Sequence, residues 1–150
     1  MAKKTKDIKY YEGVGRRKES VAIVRLYVVD KSGLVAVGNL KIKRGEIYVN
    51  GKPIDLVFTS PDERIIYQRP LKITENQDRF AISIKVAGGG KTGWLGAISL
   101  GIARALVLAD PSLKPILRQN GLLTRDSRIR ERRKVGTGGK ARRKKQSPKR

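Results

Sequence analysis

Hydrophobic and polar positions alternate most cleanly in two stretches, and both read as strands. In residues 20–29, Ala22, Val24, Leu26 and Val28 share one face, while Val21, Ile23, Arg25 and Tyr27 share the other. In residues 79–86, Phe80, Ile82, Ile84 and Val86 face inward and Arg79, Ala81, Ser83 and Lys85 outward. A period of two is that of a pleated strand with one buried face. Residues 46–49 form a further short strand, closed by the turn pair Asn50-Gly51. After Gly88-Gly89-Gly90 the period changes. Across residues 93–109, Leu95, Ile98, Ile102, Leu106 and Ala109 make one helical stripe. Gly96, Ala97, Gly101 and Ala105 are small enough for that helix to approach a sheet closely.

Local punctuation supplies the remaining elements. Ser60-Pro61-Asp62-Glu63 is a helix start: Ser60 caps, Pro61 suits the first helical position, and Glu63 reaches back. Pro70 predicts that this helix ends near Arg69. Residues 53–58 read as a short helical turn, and Asn76-Gln77-Asp78 as a turn. Residues 30–45 are loop-like and offer a short extra hairpin through 34–37 and 40–42. Asp110-Pro111-Ser112 opens a last helix carrying Leu113, Ile116 and Leu117, which Asn120-Gly121 stops. The expected architecture is an α+β two-layer body with a basic extension.

Charge sharpens this picture. The chain has 150 residues, 35 Lys and Arg, 13 Asp and Glu, and a net charge of +22. Residues 121–150 hold 13 of the basic residues and 2 of the acidic ones, a net +11. Half of the charge therefore lies in the last fifth of the length. Such a segment buries too little apolar surface to offset its ordering entropy and repels itself when free. Against a polyanion each Lys or Arg that neutralises a phosphate releases a counterion. Two units follow: residues 1–120 as a globular RNA-binding body, and 121–150 as an extended tail that orders on binding.

Candidate chemistry is narrower. The chain has no Cys and no His, which removes thiolate nucleophiles, imidazole bases and the usual zinc ligands. The acidic residues are scattered and give no convergent carboxylate pair, so no catalytic residue, metal site or cofactor is expected. The N-terminus is basic without an apolar stretch behind it, and no run approaches the ~18 apolar residues of a membrane helix; a soluble intracellular protein is expected. Gly90-Lys91-Thr92 mimics a nucleotide loop, but the position of that pattern's first glycine holds Lys85. Its geometry suits a phosphate grip by the amides of Gly88, Gly89 and Gly90 with Lys91 alongside. Arg16, Arg17 and Lys18 read either as a solvated loop or as an RNA contact, and Arg104 as structural or RNA-facing. Arg125, Arg128, Arg130, Arg132, Arg133 and Lys134, then Lys140, Arg142 and Arg143, are candidate phosphate ligands.

Taken together, Gly13-Val14-Gly15-Arg16-Arg17-Lys18-Glu19-Ser20, Val49-Asn50-Gly51-Lys52-Pro53, Arg69-Pro70-Leu71, Gly88-Gly89-Gly90, Gly101-Ile102-Ala103-Arg104-Ala105-Leu106, Gly121-Leu122-Leu123-Thr124-Arg125-Asp126 and Lys149-Arg150 resemble the family of the ninth protein of the small ribosomal subunit, in its bacterial or organellar form. The resemblance implies a four-stranded sheet with helices on one face and a left-handed crossover. It implies a non-enzymatic role in translation, in a cytoplasmic or organellar ribosome, bound to ribosomal RNA of the subunit head beside neighbouring head proteins. It also implies a tail whose Lys149 and Arg150 reach the peptidyl-site tRNA. Trp94 stands where the family usually has Gln, Gln146-Ser147-Pro148 precedes the final pair in place of Gln-Phe-Ser, and the loop at 30–45 is longer than usual.

Overall fold

The computed structural model describes residues 9–29, 33–38 and 40–132. An edge strand β1 (Tyr10–Arg17) pairs antiparallel with β2 (Ser20–Val28) through a two-residue turn. A hairpin, β3 (Leu34–Val37) and β4 (Leu40–Lys43), follows, then β5 (Ile47–Val49) and the two-residue β6 (Lys52–Pro53). Two helices, α1 (Ile54–Val57) and α2 (Pro61–Ile73), cross over to β7 (Phe80–Ala87). A glycine turn leads into α3 (Lys91–Ala109), and a 3-10 turn at Pro111–Leu113 leads into α4 (Lys114–Gln119).

The main sheet has five strands in the order β1-β2-β7-β5-β6, with β5 parallel to β7 and the other pairings antiparallel. This corrects the four-stranded expectation: the added strand is the short β6, which the turn at Asn50-Gly51 folds back on β5. Ala22, Val24 and Leu26 of β2 and Phe80, Ile82, Ile84 and Val86 of β7 form the core face, as the alternation requires. Helices α1 to α4 contribute Ile54, Tyr67, Leu71, Ile98, Leu106 and Leu117 to the same core, and Phe58, just past α1, joins them.

The opposite face is partly covered too. Tyr27 and Ala81 are buried there with Val35 and Ile42 of the hairpin. Ala81 was expected to face outward; the hairpin found in the 30–45 loop covers it. Val28, which shares a face with Ala22, Val24 and Leu26, is exposed at the strand end.

Two further expectations change. Arg16 and Arg17 belong to a strand rather than a loop. Gly13 and Gly15 obscured that strand, because glycine normally weakens one. Here the glycines let α3 lie directly on β1. A methyl group at Gly15 would sit 2.5 Å from the Gly101 nitrogen, and one at Gly13 2.6 Å from the Ala105 nitrogen. The second change is that α2 runs past Pro70. Proline forfeits one helical hydrogen bond, but Tyr67, Pro70 and Leu71 are buried in the core. Each large side chain buried contributes about 1.5–3 kcal/mol. The Thr74 hydroxyl donates to the Pro70 carbonyl at 2.9 Å and finishes the helix.

By length and hydropathy α3 could also cross a membrane, at 19 residues with a mean hydropathy of 1.5. Its burial against β1, β2 and α2 accounts for that composition. In α4 only Leu117 is buried, and Ile116 faces solvent. Past α4, the Leu122 N–H donates to the Leu117 carbonyl at 3.0 Å, and Leu122 and Leu123 pack on the core. Residues 125–132 follow without regular structure.

Candidate nucleic-acid interface

One end of the sheet collects the turn between β1 and β2, the glycine run and the start of α3. Register places them there: Arg17 pairs with Ser20, and Val21 with Ala87. Gly88 and Gly89 adopt φ of +72° and +64°, the left-handed region open to glycine at little cost. A side chain on Gly88 would also meet the Glu19 carbonyl at 2.5 Å. The Gly88 carbonyl is held by two donors, the buried Ser20 hydroxyl at 3.2 Å and the Trp94 indole N–H at 2.7 Å. The glycine run is thereby fixed against the sheet, and α3 begins in a defined direction.

That helix start is electropositive. Gly90 is the N-cap, no side chain caps it, and the first turn contains no acidic residue. The first amide groups of a helix lack intrahelical acceptors, and the helix dipole adds a partial positive charge there. Lys18, at the tip of the β1–β2 turn, is exposed and holds φ at +51°. A lysine in that conformation costs about 1–2 kcal/mol relative to glycine. Lys18, Glu19, Ser20, Gly89, Gly90, Lys91, Thr92, Gly93, Ile129 and Arg130 line a cleft of about 620 Å³ between these elements, so one carboxylate, that of Glu19, stands among its cations.

The candidate residues divide by position. Lys18, Gly89, Gly90, Lys91 and Arg130 share that cleft, and Gly88 precedes it in the glycine run without lining it. Arg16 is exposed on β1. Arg17 is turned inward, its side chain 20% exposed; it pairs with the Asp126 carboxylate and donates to the Asp126 carbonyl at 3.2 Å. Lys91 pairs with Glu63 at 3.3 Å and lies 5.8 Å from the Phe58 ring centre. Part of its charge is therefore directed at the body. Arg104 lies away from the cleft, in the C-terminal half of α3, and donates to the Val14 carbonyl of β1 at 2.7 Å. Arg125, Arg128, Arg130 and Arg132 are exposed along the extension. Arg128 grips the Asp126 carboxylate with two nitrogens, at 2.7 to 3.1 Å. Arg133, Lys134, Lys140, Arg142, Arg143, Lys149 and Arg150 lie outside the described residues.

Sequence reasoning missed Ser20, Thr92, Ile129 and Asp126. Ser20 had a signal, a small polar residue at the start of an apolar strand. Asp126 had a weaker one, as the lone carboxylate between Arg125 and Arg128. The Arg128 hydrogen bonds, side chain first and then backbone, hold the Asp126 carboxyl well below its usual range, and Arg17 adds to the effect. It is a carboxylate at neutral pH.

Fold and cleft together define a basic α+β protein whose cations and helix amides converge at one sheet end. A family model described as ribosomal protein S9/S16 matches residues 15–150, and the chain belongs to that family. Membership makes it a structural component of the small ribosomal subunit, associated with ribosomal RNA in a ribonucleoprotein and engaged in translation.

Proposed function

We propose that the sheet end around the start of α3 binds the phosphate backbone of ribosomal RNA in the subunit head. The observation that carries this reading is the convergence of the uncapped α3 amides with Lys18, held in a left-handed conformation at the turn tip. Backbone amides at a helix start and a nearby cation suit phosphate oxygens. Arg16 and Arg130 extend the same surface, and the glycine run lets an RNA strand come close to the main chain.

The body of residues 1–120 recognises RNA shape and phosphate, and the basic extension of residues 121–150 follows the RNA. Arg125, Arg128 and Arg132, then Arg133, Lys134, Lys140, Arg142 and Arg143, neutralise phosphates along its path. Lys149 and Arg150 reach the peptidyl-site tRNA, beside neighbouring head proteins in a cytoplasmic or organellar ribosome. The role involves no catalysis. Charge density supports this reading, since a +11 segment of thirty residues needs a polyanion to become compact. Arg104 serves the body, tying α3 to β1.

The test is deletion of Lys149 and Arg150 in ribosomes that contain this chain. Subunit assembly is expected to be unchanged and peptidyl-site tRNA affinity to fall. Unaltered tRNA affinity would count against the role given to the terminal pair. A chain that washes off small subunits at high salt would instead favour a free RNA chaperone, because nonspecific phosphate binding weakens steeply with salt.

A further inference from the structure

We propose that Asp126 is a positioning residue that latches the start of the extension across the sheet end and so builds one wall of the cleft. Asp126 sits between two arginines from different parts of the chain. Arg17 reaches it from β1, engaging both the carboxylate and the main-chain carbonyl. Arg128 reaches it from the extension with a forked side-chain contact, and the Arg128 N–H donates to Oδ1 at 2.9 Å.

The body side of the latch is rigid. The Arg17 stem passes over Gly96 of α3, where an added methyl would lie 3.0 Å from its Cγ. A glycine there gives the arginine a groove that directs it at Asp126. The extension side is short. Leu122 and Leu123 fasten the chain to the core, Asp126 fixes it a second time, and Ile129 and Arg130 then lie against the α3 start. Ile129 is 71% exposed, so apolar burial alone does not hold it there. The ion pairs do, and they set where the cationic extension leaves the body.

This inference deepens the phosphate reading by naming what builds the Arg130 wall. Its test uses protein free of RNA, so it can fail or succeed independently of that reading. Full-length chain is digested with trypsin, and cleavage after Arg128 and Arg130 is timed by mass spectrometry. Cleavage after Arg118 serves as the internal reference, and each rate is divided by that of the urea-unfolded chain. Asp126→Asn keeps an oxygen for the Arg128 N–H but removes the charge. It is expected to speed cleavage after Arg128 and Arg130 about fivefold, the upper range for exposed ion pairs, with the Arg118 rate unchanged. Arg128→Ala, which alters an exposed side chain and abolishes its own tryptic site, is read after Arg130 alone and is expected to speed that cleavage in the same direction. Raising salt is expected to bring wild-type protein to the Asp126→Asn rate and to leave the variant unmoved. Rates within about twofold of wild type in both variants would overturn the latch. So would equal acceleration after Arg118, which would mark a general loosening of the fold.

Discussion

At the scale of single residues, Lys18 separates a structural role from a binding one. Its left-handed backbone favours glycine, so a purely architectural turn would be improved by Lys18→Gly. The expected outcome is unchanged or increased stability, by up to about 1 kcal/mol, together with weaker RNA binding. The slope of log affinity against log salt should shrink by about 0.7–0.9, the contribution of one phosphate. Urea unfolding and filter binding at several salt concentrations check both. A stability gain with full RNA affinity would remove Lys18 from the interface. Arg104 should behave in the opposite way. Arg104→Met leaves the Val14 carbonyl without its donor, at a cost of about 1–3 kcal/mol, while RNA affinity of the folded protein is retained. Tyr67 supplies a pH signature. Its hydroxyl donates to Asp55 at 3.2 Å, and burial, with Asp55 nearby, pushes its pKa up to about 12. The folded state keeps the proton that the unfolded state loses near pH 10, so stability falls between about pH 10 and 12. Wild type should lose more stability across that window than Tyr67→Phe; parallel curves would contradict the shift.

At the scale of elements, the legible parts were those where periodicity and burial agree. β2, β7 and α3 could be read from the sequence because each carries large apolar residues at one regular period and has a clear start. The capping residues at Ser60 to Glu63 located α2, and the Ser60 N–H does donate to the Glu63 carboxylate at 3.4 Å. β1 was not legible, because its pairing value lies in the absence of side chains at Gly13 and Gly15. That absence matters only once α3 is laid across it, a contact between residues some ninety positions apart. The end of α2 was misjudged for a related reason, since the burial of Pro70 is a tertiary effect. The close approach of β1 and α3 predicts that Gly15→Ala is costly. The added methyl meets main-chain atoms that cannot rotate away, and about 3 kcal/mol of stability should be lost, the upper range for overpacking. Denaturant unfolding measures it; a loss under about 1 kcal/mol would mean that the helix can shift. The cleft followed the same rule. The glycine run and Lys91 could be singled out in sequence, but their meeting with Lys18 and Arg130 depends on strand register and on Asp126.

At the scale of the whole molecule, charge and fold serve one another. The sheet and α3 are apolar enough to fold as a body, and they carry one sheet end on which helix amides, a strained lysine and the first residues of a cationic extension coincide. A +22 chain of this size repels itself in solution, and ribosomal RNA relieves that repulsion. The central claim is that this sheet end faces RNA phosphate. A cryo-EM map of a small subunit containing this chain tests it most directly. The expected map shows RNA phosphate oxygens within hydrogen-bonding distance of the first α3 amides and the Lys18 ammonium, with the extension leaving past Arg130 along the RNA. A map in which that end faces solvent or another protein, while RNA lies on the hairpin face, would contradict it.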